Sequence, residues 1–167
     1  IAFLLMSIVS TANPENADRE TVELIWFPTG GGKTEAYLGL TAFSLFLRRL
    51  RNPHDFGVHV LMRYTLRLLT AQQFLRASRL ICAMEFIRST GKFPLGENPF
   101  TIGMWVGGSN TPNTRQEAIS VLKGLIKANK YIHNAFVLDR CPWCGAQMGI
   151  LGEDQTKKDA TFSRVQG

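Results

Sequence analysis

Apolar positions divide the chain into two kinds of segment. Four longer stretches predict helices, and in the clearest of them apolar residues recur every three or four positions. Three short apolar runs, rich in β-branched and aromatic residues, predict buried strands. The predicted helices are residues 1–10, 34–51, 66–90 and 114–130, and the predicted strands are residues 21–28, 56–65 and 98–108.

Helices and strands that alternate in this way are typical of an α/β fold, with a parallel sheet and helices on both of its faces. Ligands bind such sheets at the carboxyl ends of the strands, and glycines follow the first and third predicted strands. Gly91 is predicted to follow the end of the third helix, and residues 111–115 are predicted to cap the start of the fourth.

Composition narrows the class of protein only slightly. The chain has 167 residues, 45% of them hydrophobic, which is enough for a globular domain with a core. Its net charge of +6 favours a polyanionic partner, although a solvated basic surface explains the charge equally well. Arg48, Arg49 and Arg51 end a predicted helix, where we expect them to complement the helix dipole and stay solvated.

The N-terminal apolar stretch is too short to span a membrane, so we expect a buried helix there and a cytoplasmic protein without a membrane partner. The chain starts at Ile1 rather than at a methionine, which favours a piece of a longer protein.

The sequence FPTGGGKT, residues 27–34, carries the clearest chemistry. It places Gly30, Gly31 and Gly32 between a predicted strand and a helix that begins with Lys33 and Thr34. Glycines let backbone N–H groups close around phosphate oxygens, the lysine reaches the outer phosphates, and the threonine hydroxyl coordinates Mg²⁺. The strict phosphate-loop pattern begins with glycine, where this chain has phenylalanine, and the alternative is a plain glycine turn before a helix.

FPTGGGKT resembles the nucleotide-binding motif of superfamily 2 helicases, commonly written APTGSGKT. The resemblance implies an incomplete RecA-like domain that binds ATP and Mg²⁺, with Lys33 and Thr34 as catalytic residues and Thr29 in the nucleotide site. YTLRLLTAQQ, residues 64–73, is similar to the helicase motif that holds the backbone of a nucleic-acid strand.

The same resemblance implies a nucleic-acid contact surface. Its residues would be Thr65, Arg67, Gln72, Gly107 and Gly108. Together with a later CPWCG, the motifs look like the large helicases of bacterial phage-defence systems, especially the helicase of the DISARM system. That branch implies an ATP-driven helicase or translocase that acts on nucleic acid, with DNA favoured over RNA. It also implies that the protein works with other subunits of a defence complex. Two alternatives stay open, a phosphate-loop NTPase or kinase that does not act on nucleic acid, and a non-catalytic nucleic-acid-binding scaffold.

Cys141 and Cys144 form a C-x-x-C pair followed by glycine, which has the spacing of half a zinc ribbon. No second such pair occurs, and a redox pair or a bare turn is the alternative. Cys82, inside a predicted helix, is expected to be a core residue.

Helicases need an acidic D-E-x-[DH] motif at the end of a later strand for ATP hydrolysis. No segment of this chain resembles that motif, so we expect this piece alone to be inactive. The expected organisation has three parts: an N-terminal helix and loop at 1–20, the first half of a RecA-like domain at 21–140, and the start of a zinc-ribbon-like insertion or a linker at 141–167.

Overall fold

A computed structural model describes residues 2–24, 26, 30–64, 67–106, 111–127, 138 and 140–146. These residues form four α-helices: α1 at Ala2–Ala12, α2 at Lys33–Arg51, α3 at Arg67–Ser89 and α4 at Arg115–Lys127. The chain divides into two compact units, residues 1–102 and 103–167. The first unit holds α1, α2 and α3, and the second holds α4 and the cysteine pair.

The four predicted helices are confirmed, and their ends follow the signals in the sequence. Gly91 adopts the left-handed conformation, with φ of 67°, just past the end of α3. Thr114 and Glu117 form a reciprocal capping box at the start of α4, in which each side chain accepts a hydrogen bond from the other residue's backbone N–H at 3.2 Å.

The predicted parallel sheet is wrong, and with it the α/β, RecA-like fold and the assignment to superfamily 2. None of the described residues at 21–26, 56–64 or 98–106 forms a strand, and no ladder of backbone hydrogen bonds joins these segments. Their apolar side chains are largely exposed, with 94% of Val22, 90% of Leu24 and all of Trp105 accessible. A buried strand needs a paired neighbour and a covered face, and a short apolar run specifies neither of them by itself.

The expected burial of the N-terminal helix is also wrong in part. One side of α1 packs against α2, where Leu4 lies so close to Gly39 that a Cβ there would stand 3.2 Å from the leucine side chain. Leu5, Met6 and Val9 of the same helix are exposed. No helix within the described residues is both long and apolar enough to cross a membrane.

The core of the first unit lies between α2, α3 and the loop that follows α3. Met84, Leu95 and Phe100 are its buried members, and Met84 is only 1% exposed. Phe46 of α2 meets Phe100 edge to face, with the ring centroids 5.5 Å apart. The loop residues Leu95 and Phe100 therefore pack against α2 and α3 and complete the core.

Arg49 is buried in this region, at 4% exposure, instead of being solvated as the sequence predicts. Its guanidinium donates hydrogen bonds to the carbonyl oxygens of Pro53, at 3.4 Å, and Leu95, at 3.2 Å. It also lies 5.1 Å from the centroid of the Phe100 ring and donates to the carbonyl of Pro99. These acceptors offset the cost of burying the charge.

We predict that Gly96→Ala destabilises the first unit much more than Gly91→Ala does. Both glycines have positive φ, which costs an alanine about 1–2 kcal/mol. Only at Gly96 would the new Cβ also collide with backbone, 2.1 Å from the carbonyl oxygen of Pro53, whereas Gly91 has nothing within 4 Å. Urea unfolding of the two variants measures the difference, and equal losses would show that this close approach does not exist.

Candidate functional site

A glycine turn precedes α2 and leads directly into the helix. Gly30 and Gly32 have positive φ, at 89° and 77°, and Gly32 is the N-cap residue of α2. A Cβ on Gly30 would meet nothing within 4 Å, and one on Gly32 would only approach the Glu35 carboxylate, at 3.9 Å. The glycines are therefore required by the backbone conformation, and they leave open space above the turn.

The start of α2 presents backbone donors without a side-chain cap. Gly32 offers no side chain to cap the helix, and the backbone N–H of Ala36 is bonded to the Gly32 carbonyl at 3.1 Å. The first N–H groups of any α-helix lack partners within the helix, and the helix dipole adds a partial positive charge there. Lys33 and Thr34 are the first two helical residues, and both are partly exposed.

The turn and the helix start thus come in the order predicted from the sequence. Gly30, Gly31, Gly32, Lys33 and Thr34 are consecutive at the positive end of a 19-residue helix, an arrangement suited to an anion. Thr29, the remaining residue predicted for the nucleotide site, lies outside the described residues, as do Phe27 and Pro28.

An ion pair lies next to the turn, and no sequence motif predicts it. Glu35, in the first turn of α2, accepts a hydrogen bond from the guanidinium of Arg76 in α3, and the pair is exposed to solvent. The Glu35 carboxylate interacts favourably with the positive end of the helix dipole, but it would repel an anion bound at the turn. Arg76 supplies the compensating charge, and no local signal could have revealed it because the two residues are distant in sequence.

The residues predicted to hold nucleic acid are only partly described. Arg67 is the first residue of α3, although its side chain is outside the described part of the structure. Gln72 is exposed on the same helix, and its position is about 140° around the axis from that of Arg67, given 3.6 residues per turn. The helix therefore does not place the two on one face. Thr65, Gly107 and Gly108 lie outside the described residues.

The cysteine pair occupies a tight turn in the second unit. The backbone N–H of Cys141 donates to the Ala146 carbonyl at 2.7 Å, and that of Gly145 donates to the Cys141 carbonyl at 2.9 Å. Hydrogen bonds from the backbone of Cys144 and Trp143, and from the Cys144 side chain, lower the pKa of the Cys141 thiol. No group of three or more metal-ligating side chains occurs among the described residues.

Sequence reasoning also missed a charged cavity of about 290 Å³ at the far end of α2. Arg48 and Asp55 form a bidentate pair on its wall, with Nε 2.5 Å from Oδ2. The hydrogen bond from Arg48 lowers the pKa of the Asp55 carboxyl. Burial and the Arg48 charge lower the pKa of nearby His59, whose Nε2 lies 2.6 Å from the Ser44 hydroxyl. Arg48 is thus paired within the fold.

Comparison with known proteins gives one informative similarity. The chain is 41% identical over 159 residues to the protein named DISARM protein DrmA of Bacillus paralicheniformis. The match covers 88% of this chain but 14% of that protein, so the chain spans about a seventh of its relative's length. No model of a known protein family matches the chain, and no solved structure matches it.

If the glycine turn holds the phosphates of ATP, as the resemblance implies, we predict that Arg76→Ala weakens ATP binding to the full-length protein by up to about fivefold, because the negative charge of Glu35 is then left unpaired beside them. Exposed charge pairs contribute up to about 1 kcal/mol, which sets this limit. Isothermal titration at low salt measures it, with Arg79→Ala, an exposed arginine on the same helix, as the matched control. Adding Glu35→Gln to Arg76→Ala should restore the affinity, and failure to do so would show that Glu35 does not act on the ligand.

Proposed function

We propose that this chain is the ATP-binding part of a DISARM protein, an enzyme of bacterial phage defence that couples ATP hydrolysis to action on nucleic acid in the cytoplasm. The observation that carries the proposal is the uncapped glycine turn that opens onto Lys33 and Thr34 at the start of α2. The similarity to DISARM protein DrmA supports the place in a defence system. Other subunits of that system are the expected protein partners.

The turn has the chemistry that a triphosphate needs. Backbone N–H groups at a helix N-terminus donate to phosphate oxygens, and the open space above Gly30 and Gly32 admits them. The Lys33 ammonium would offset the charge of the outer phosphates, and the Thr34 hydroxyl would be a ligand of the accompanying Mg²⁺. Mg²⁺ held there would supply further positive charge next to the transferring phosphate.

Action on nucleic acid rests on charge and on the start of α3. The chain carries a net charge of +6, and Arg67 stands at the positive end of a 23-residue helix. Helix N-termini and arginines contact phosphates without reading sequence, as a protein that acts on many DNA sequences requires. We propose DNA as the nucleic acid.

We predict that Lys33→Ala in the full-length protein lowers the rate of ATP hydrolysis by about 10²–10³-fold. Removing the ammonium leaves developing phosphate charge uncompensated, and the loss of such a donor costs about 2.7–4 kcal/mol of barrier. Steady-state ATPase measurement with saturating DNA gives the rate. Lys92→Ala is the matched control, because Lys92 is an exposed lysine in the loop after α3. Activity within a few-fold of the unmodified protein would contradict the assignment of the turn.

We predict that Arg67→Ala weakens DNA binding about equally for unrelated sequences and leaves ATP binding unchanged. One lost phosphate contact should reduce the slope of log K against log salt by about 0.7 on a single strand. Salt titrations on two unrelated oligonucleotides measure the slope, and Arg79→Ala serves as the control on the same helix. An unchanged slope and affinity would remove Arg67 from the interface. If ATP hydrolysis proved independent of DNA altogether, a phosphate-loop enzyme with another substrate would replace the proposed function.

A further inference from the structure

The turn at residues 140–146 carries two cysteines, Cys141 and Cys144, with two residues between them. Hydrogen bonds from the backbone of Cys144 and Trp143, and from the Cys144 side chain, are the causes that lower the pKa of the Cys141 thiol. The turn is closed by the two backbone hydrogen bonds of Cys141 and by Gly145, whose φ is 74°. Cys141 and Cys144 therefore lie on one short turn that is closed by backbone hydrogen bonds.

We propose that Cys141 and Cys144 are two of the four ligands of a structural zinc ion. Zinc in structural sites is tetrahedral and takes thiolates from C-x-x-C turns of this kind. The backbone N–H groups that donate to Cys141 would act as the outer hydrogen bonds that orient a metal-bound sulfur. The C-x-x-C spacing and the hydrogen-bonded turn therefore fit one half of such a site.

The surroundings of the pair favour a metal over a disulfide-exchange role. Reactive C-x-x-C cysteines commonly stand at a helix N-terminus, where the helix dipole stabilises the attacking thiolate. Here Cys141 and Cys144 lie in a turn, and no helix begins within the described residues 140–146. Cys144 is exposed and Cys141 is half-buried, so neither residue is enclosed by the described part of the fold.

The other two ligands come from outside the described residues, since these hold no cluster of three metal-ligating side chains. The ion would then join this turn to another segment of the full-length protein and so stabilise the second unit. Among the described residues of the second unit, Leu125 is the one buried hydrophobic residue.

The test is the zinc content of the full-length protein, measured by mass spectrometry of the metal after gel filtration. A single site predicts that Cys141→Ser/Cys144→Ser lowers zinc by about one ion per chain. Cys82→Ser is the matched control, because Cys82 is a half-buried cysteine of α3, and it should leave the zinc content unchanged. Equal zinc in the double variant and the unmodified protein would overturn the proposal.

A second measurement needs no variant and so is independent of misfolding. In the unmodified protein, alkylation of Cys141 and Cys144 by iodoacetamide should be slow and should accelerate by at least about tenfold when a chelator removes the metal, while Cys82 should not respond. Alkylation at the same rate with and without chelator would overturn the proposal, as would recovery of the pair as a disulfide. Neither measurement depends on ATP or DNA binding, so its failure would leave the proposed function standing.

Discussion

The first unit depends on one buried guanidinium. Arg49 stands near the end of α2 and donates to the carbonyls of Pro53 and Leu95, segments that are far apart along the chain. A buried charge with such partners cannot be removed without leaving carbonyl groups unsatisfied, each of which costs about 1–3 kcal/mol. Gly96 belongs to the same constraint, because only a residue without a Cβ can follow Leu95 so close to Pro53.

Side chains at the end of α3 also hold the loop that contains Leu95 and Gly96. Glu85 and Arg88 form an ion pair at the last turns of the helix. Arg88 donates to the Gly96 carbonyl at 2.9 Å, and Glu85 accepts the backbone N–H of Phe100 at 2.9 Å. The hydrogen bond from Arg88 lowers the pKa of Glu85, which favours the charged carboxylate. This carboxylate accepts hydrogen bonds from Arg88 and from the Phe100 backbone. The loop after α3 is thus fastened to the ends of two helices.

These contacts determine what the glycine turn can do. The C-terminal end of α2 is held by Arg49 and the core, and its N-terminal end is joined to α3 through Glu35 and Arg76. A helix of 19 residues is about 28 Å long, so the two attachments fix its direction. An anion at the turn would meet donors that are already oriented, and preorganised donors stabilise charge without reorganising when it arrives.

Features that depend on neighbouring residues could be predicted from the sequence. The helices α2 and α4 follow from apolar spacing, and the ends of α3 and α4 follow from Gly91 and from the Thr114–Glu117 capping box. The glycine turn is equally local, because its backbone conformation requires glycine whatever surrounds it. The predicted sheet failed for the opposite reason. Whether Val22 or Leu24 is covered depends on segments far along the chain, and apolar composition alone does not supply that cover.

The same distinction separates the two candidate sites. At the glycine turn, the backbone donors, the lysine and the threonine all come from residues 30–34, so the site was visible in the sequence except for Arg76, which only the packing of α3 brings near. At the cysteine turn, the sequence and the structure both show two thiols on one short segment. A tetrahedral ion needs two ligands more. The donors of the first candidate site therefore come from one short segment, whereas the zinc ion proposed at the second would need two ligands from elsewhere in a longer protein.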